Sequence, residues 1–243
     1  MQHLAALLLL VVAASARADA VADLKRTLAT LRGACAISAT YESLQTNKAR
    51  GRFFNQNLNL HSVADVQGGA GGVTIMVSRA TLDRWRAQRA AGRRDEENGG
   101  EVAGDVAAGR VAELLDYAPT LQAVLARAVL RSERDAAVGG VPARLLVFKV
   151  PPERSRAKDV KVETSGDDLT LWVGRDGVPL SAVSKAQFSV GFLFLKATGG
   201  ATEKWTFVRR DDRLVVTRHE RATSGGGMGQ STEGMETQSI VVR

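Results

Sequence analysis

Three histidines and one cysteine are all the imidazole and thiol that this chain of 243 residues contains. His61 and His219 stand in strand-like text with no second His, Cys or Asp at ligand spacing, so they do not predict a metal site. Cys35 has no partner for an internal disulfide, and none of the multi-cysteine metal or redox patterns applies. It lies too far behind the N-terminal apolar run for lipid attachment and reads as a small buried hydrophobe. Asp211 and Asp212 are adjacent on a turn, where their carboxylates point apart, so they read as solvated turn acids rather than an acid–base pair. No Gly-x-Ser-x-Gly elbow and no Gly-x-x-x-x-Gly-Lys phosphate loop is present, and Gly68 to Gly72 leads into a strand rather than a helix. On these grounds no catalytic residue, no metal and no cofactor is expected, and the chain is not read as an enzyme.

Two groups of side chains point to binding instead. Arg84, Arg86 and Arg89 belong to a basic block from Arg79 to Arg94 that ends in Asp95-Glu96-Glu97. With Leu82 and Trp85 on one helical face, the block suits an anionic membrane surface; the alternative is a solvated arginine face with Trp85 packed on the domain. The second group is aromatic. Six of the twelve aromatic residues fall between Trp172 and Phe207, and of these Trp172, Phe192, Phe194, Trp205 and Phe207 are expected to border an apolar interior. A filled core and a cavity for a lipid or acyl chain would use the same residues, so both readings stand.

The elements that position these residues follow from periodicity. Leu4 to Ala14 is an apolar run of secretory length, and Ala16-Arg17-Ala18 fits small-x-small cleavage, so residues 1–18 read as a signal peptide and the protein as periplasmic or secreted. A buried N-terminal helix is the alternative. The formal net charge of +7 favours acidic partners, and export makes these lipid head groups rather than nucleic acid. Residues 19–243 read as a single β-rich domain. Val21, Leu24, Leu28 and Leu31 predict a short amphipathic helix stopped at Gly33, and strands are expected at Ala36 to Tyr41, Gly51 to Leu60 and Val73 to Val77. Val111 to Val129 keeps helical spacing, which predicts a helical insertion near residues 111–136, broken near Ala118 with Pro119 opening a new helix.

From Ala143 onward the text is almost wholly β. Arg175-Asp176-Gly177, Thr198-Gly199-Gly200 and Arg210-Asp211-Asp212 are short turn signals, along with Gly166-Asp167-Asp168, and connections this short join antiparallel neighbours. Val190 to Leu195 runs on without alternation, as a strand covered on both faces would. Residues 224–234, rich in glycine, read as a mobile loop. The expected class is mainly β (α+β): a curved antiparallel sheet or incomplete β-barrel with a helical layer on its concave face.

The export signal, amphipathic helix, long meander, helical insertion and the segment Leu171-Trp172-Val173-Gly174-Arg175-Asp176-Gly177-Val178-Pro179 together resemble the outer-membrane lipoprotein carrier (LolA-like) superfamily. The resemblance spans about residues 19 to 220. It implies an incomplete barrel around helices, an apolar cavity for acyl chains, and binding of a lipid, acyl chain or lipoprotein without catalysis. The alternative is an envelope scaffold or partner-binding protein whose concave face is filled by its own helices.

Overall fold

The computed structural model describes residues 20–52, 54–79, 82–83, 108–151, 161–192, 195–227 and 229–243. Ten strands form one open antiparallel sheet: β1 Ile37–Gly51, β2 Phe54–Gly69, β3 Gly72–Met76, β4 Val129–Val138, β5 Val141–Val150, β6 Lys161–Val173, β7 Pro179–Phe192, β8 Leu195–Arg210, β9 Arg213–Gly227 and β10 Gln230–Val242. Their spatial order is β3-β2-β1-β10-β9-β8-β7-β6-β5-β4. The chain therefore meanders from β4 to β10, closes β10 against β1, and leaves β3 and β4 as edges. Helix α1 is Ala20–Thr30, residues 108–115 form α2, and α3 is Ala118–Arg127.

Alternation places one set of side chains under the helices. Ala39 and Tyr41 of β1, Leu146 and Phe148 of β5, Leu171 and Val173 of β6, Trp205 and Phe207 of β8, Val216 of β9 and Ile240 of β10 all point to this inner face and are buried. Above them lie Leu24 and Leu28 of α1, Val111, Leu114 and Leu115 of α2, and Leu121 and Leu125 of α3, in one continuous core. The helical spacing read from Val111 is interrupted at Asp116-Tyr117, and Pro119 sits in the first turn of α3, where its missing N–H has no intrahelical partner to lose.

Several expectations need correction. The helical insertion ends at Arg127, and Val129–Val138 is edge strand β4 instead of a continuing helix. Residues 224–234 are the end of β9 and the start of β10, a hairpin in which Gln230 faces Gly227 and Gly229 takes φ 75°. Neighbours β8 and β1 hold this glycine-rich text in register along its length. Val190 to Leu195 is likewise not one strand covered on both faces: it runs out along β7 and returns in β8, with Phe192 opposite Leu195. Gly199 and Gly200 lie inside β8 rather than in a turn, since Gly199 is covered by the Phe188 ring of the neighbouring strand. A cross-strand aromatic over a strand glycine supplies the packing that the glycine lacks.

The corner at Arg175-Asp176-Gly177 seats α1 on the sheet. Asp176 Oδ1 accepts the Val178 amide at 3.1 Å, Thr27 Oγ1 donates to the Asp176 carbonyl at 3.3 Å, and Gly177 adopts φ 77°. A Cβ on Gly177 would lie 2.5 Å from Thr27 Oγ1 and 3.2 Å from the Asp23 carbonyl oxygen. Both the backbone angle and the close approach of the helix demand glycine. Gly177→Ala is therefore expected to destabilise by more than about 1 kcal/mol, read as a lowered urea midpoint, whereas Gly140→Ala, also at positive φ but with nothing near its Cβ, should cost less.

Candidate binding site

The buried core of the inner face ends at a row of polar side chains. Trp205 stands opposite His219, and His219 is adjacent to Gln238 across the next strand pair. All three are buried, and His219 is fully enclosed. The indole of Trp205 stacks on the imidazole with ring centres 5.3 Å apart, and on its other side Tyr117 approaches both Trp205 and Phe207.

Three elements, β8, β10 and α2, satisfy the imidazole. His219 Nε2 donates to Glu203 Oε2 at 3.0 Å, while Nδ1 lies 3.1 Å from Gln238 Oε1 and 3.3 Å from Arg110 Nη2. A neutral ring that donates to Glu203 accepts at Nδ1 from Arg110; a protonated ring donates there to Gln238. Arg110 is held by Glu113 one turn along α2, at 3.0 Å, and Gln238 Nε2 donates to Tyr41 Oη at 3.2 Å and Glu236 Oε1 at 2.8 Å. Burial pushes the Glu203 carboxyl up, but the His219 hydrogen bond and the charges of His219, Arg221 and Arg110 outweigh it, leaving Glu203 below the ordinary carboxylate value. Burial raises the Tyr41 and Tyr117 hydroxyls, so both stay protonated. Trp205 Nε1 is the one buried polar atom of this group without a hydrogen-bond partner.

Glu203 and His219 have the composition of an acid–base pair, yet both ring nitrogens are engaged, and no hydroxyl or thiol among the described residues is bonded to His219. Nor do the described residues contain three His, Cys, Asp or Glu side chains grouped as metal ligands. Among the described residues, the row instead marks where the helical layer stops. Beyond it the inner face continues through Ser43, Gln45 and Asn47 of β1, Leu58 and Leu60 of β2, Ala201 of β8, Thr223 and Gly225 of β9 and Gly234 of β10, all at least partly exposed. Phe188 and Phe54, each 40% exposed, are large apolar side chains on this surface.

Trp205 and Phe207 do border an apolar interior, and the helices fill it. Trp172 does not belong with them: it alternates with the buried Leu171 and Val173, so it lies on the outer face opposite Leu145. Phe192 closes β7. Phe194 and the basic residues Arg84, Arg86 and Arg89 lie outside the described residues. The polar row had no local sequence signal, since Tyr41, Arg110, Glu203, His219 and Gln238 come from five separate elements. The only legible part was the alternation Glu203, Trp205, Phe207, which puts an acid on the buried face of a strand.

Cys35 also needs correction, because it is exposed. It lies beside a surface pocket of about 570 Å³ lined in part by Arg209, Arg210, Arg213 and Arg243. Asp212 is no idle turn acid: its carboxylate accepts the Ala34 amide at 2.8 Å and the Cys35 amide at 3.1 Å, which hold it below the usual range. Arg213, almost wholly buried, donates through Nε to the Cys35 carbonyl at 2.8 Å. These bonds tie the α1–β1 link to the β8–β9 turn.

Two outcomes follow from the charges. Because the folded-state pKa of Glu203 is depressed, its contribution to stability is present above the ordinary glutamate value of 4.5 and is lost as pH falls through the lower folded value. Glu203→Gln should cost about 1.5–3 kcal/mol at pH 7, and the deficit in urea unfolding should shrink below pH 4.5. The Asp212 carboxylate, by its hydrogen bond and its charge, raises the Cys35 thiol above its usual value. Iodoacetamide should thus label Cys35 slowly at pH 8, and Asp212→Asn should speed labelling.

No protein-family model and no curated protein matches the chain. Among solved structures, a crystal structure of MucB in complex with MucA(peri) is similar over 92% of this chain and 94% of that one, at 10% identity and a TM-score of 0.23.

Proposed function

We propose that this chain is an exported, non-catalytic binding protein of the cell envelope. In this reading it holds a segment of a protein partner on the half of its inner face that no described residue covers, not an acyl chain in an apolar cavity. The observation that carries the reading is the place where the helical layer ends. Leu24, Leu28, Leu114, Leu115, Leu121 and Leu125 occupy the space over Leu146, Phe148, Leu171 and Phe207, and each of these ten side chains is no more than 3% exposed. This is the place where the carrier resemblance would put acyl chains.

The surface beyond the Glu203–His219 row differs in chemistry. Gln45 and Asn47 offer amides, Ser43 and Thr223 hydroxyls, and the glycines of β9 and β10 let another backbone come close. An acyl chain laid there would leave those donors and acceptors desolvated and unpaired, at roughly 1–3 kcal/mol each. A peptide backbone pairs with them. Phe188, Leu58 and Leu60 supply apolar anchors, and the charges of Glu203, Arg221 and Glu236 stand at the rim, an arrangement typical of protein interfaces. The export signal read at residues 1–18 supports the compartment, and no helix among the described residues is long and apolar enough to cross a membrane.

Site-specific photo-crosslinking tests this in cells. A benzophenone side chain at Ala201, on the inner face, is expected to give a discrete protein adduct upon illumination, whereas the same group at Thr202, its outward-facing neighbour, gives none. An adduct of lipid mass at Ala201, with lipid retained by the purified protein in native mass spectrometry, would return the carrier reading to first place.

A further inference from the structure

The two sides of the sheet end differently. At one side β4 carries Arg131, Glu133, Arg134 and Asp135 and breaks its ladder with an irregularity at Leu130/Ser132. Charges and bulges are how sheets protect an edge from pairing with another chain. At the other side β3 pairs with only Asp65 to Gly69 of β2. The remaining eleven residues of β2, Phe54–Ala64, have β1 on one side and no strand among the described residues on the other.

That uncovered run reads Phe-Asn-Gln-Asn-Leu-Asn-Leu-His-Ser-Val-Ala. It has no Lys, Arg, Asp, Glu or Pro, and its one titratable group, His61, is already bonded to Glu42 at 2.9 Å on the neighbouring strand. The run is also self-complementary. Its midpoint is Asn59, and an antiparallel pairing with a second copy centred there overlaps all of it, placing Phe54 opposite Ala64, Gln56 opposite Ser62 and Leu58 opposite Leu60. Ala64 and Val66 face inward beside Tyr41 and Ala39, so even-numbered residues share the inner face. The two copies then bring four leucines into one inner-face cluster, while Asn57 meets His61 and Asn59 meets its own counterpart on the outer face. No like charges oppose one another in this register.

We propose that this edge is a dimerisation surface: two copies join β2 to β2 about a two-fold axis at Asn59 and continue the sheet from one protomer into the next. A two-fold contact of this kind is closed, so it uses up the unguarded edge instead of propagating it into a fibre. The dimer engages Leu58 and Leu60, which also serve as anchors of the partner surface described above, but Ala201 and Thr223 lie on the central strands β8 and β9, so crosslinking at Ala201 and dimerisation at β2 are tested separately.

Sedimentation velocity of the purified chain is expected to show a species of twice the chain mass. In a Cys35→Ser background, Asn59→Cys should oxidise to a covalent dimer, because directly opposed strand residues have Cα atoms about 4.5–5.5 Å apart, within disulfide range. Asn55→Cys, which faces Val63 of the other copy and is far from its own counterpart, should stay uncrosslinked under the same oxidant. Leu58→Lys with Leu60→Lys places four ammonium groups together and should leave a monomer with unchanged circular dichroism and melting temperature. A wild type that is monomeric at every concentration overturns the proposal. So does a dimer that survives the double lysine change, or one in which Asn55→Cys crosslinks as readily as Asn59→Cys.

Discussion

Helices α1, α2 and α3 are too short for the sheet they cover, and much of the described structure follows from that mismatch. At 1.5 Å per residue α1 is about 16 Å long and α3 about 15 Å, whereas a strand of fifteen residues at 3.3 Å per residue extends about 50 Å. A core can form only where helix and strand overlap. It does so in the rows nearest Leu146, Leu171 and Phe207, and the sheet beyond has side chains of every kind but, among the described residues, no layer above them. The polar row at His219 is where these two environments meet: its rings pack against the core, and its carboxylate and guanidinium groups reach water.

A boundary of that kind is costly wherever a hydrogen bond is unmet, and Trp205 Nε1 is the one polar atom of the row left so. A buried imidazole with an unmet nitrogen costs roughly 1–3 kcal/mol, and here Glu203, Gln238 and Arg110 meet both nitrogens. Because Arg110 comes from α2 while the others come from the sheet, the row also fastens the helical layer laterally. At the opposite end of the core, Asp212 and Arg213 do the same for the chain leaving α1, through backbone amides and a carbonyl rather than through packing. The helices are thus held at both ends by directional bonds, with the leucine core between them.

The uncovered half of the sheet is stabilised in another way. Long strands paired on both sides keep register through many ladder bonds, and the few large side chains there, such as Phe188 over Gly199, pack across strands and not into a core. Such a surface can be polar and still ordered. It also leaves Phe54–Ala64 of β2 as the weakest point, where backbone groups have no strand neighbour among the described residues and no charge deters one.

The fold class was legible in the sequence because it depends on local rules, although Gly166-Asp167-Asp168 and Thr198-Gly199-Gly200, read as turns, lie inside β6 and β8. Period-two alternation and short turns dictated an antiparallel sheet, Pro119 marked the break between helices, and the Asp176-Gly177 corner lay where it was read. Burial of Trp205 and Phe207 followed from their alternation with Lys204 and Thr206. What depends on partners far away in the chain was not legible. Gly199, Gly200, Gly225 and Gly226 are turn residues by local chemistry and strand residues here, because neighbouring strands on both sides supply ladder bonds that no local propensity counts. Residues 129–136 read as the end of the helical insertion begun at Val111, yet pairing with β5 made Val129–Val138 a strand. Trp172 resembles Trp205 in the sequence, and only the register of β6 decided that it faces outward. The role of His219 was the least legible of all, since a buried imidazole acquires its meaning from groups that the fold brings to it from residues 41, 110, 203 and 238.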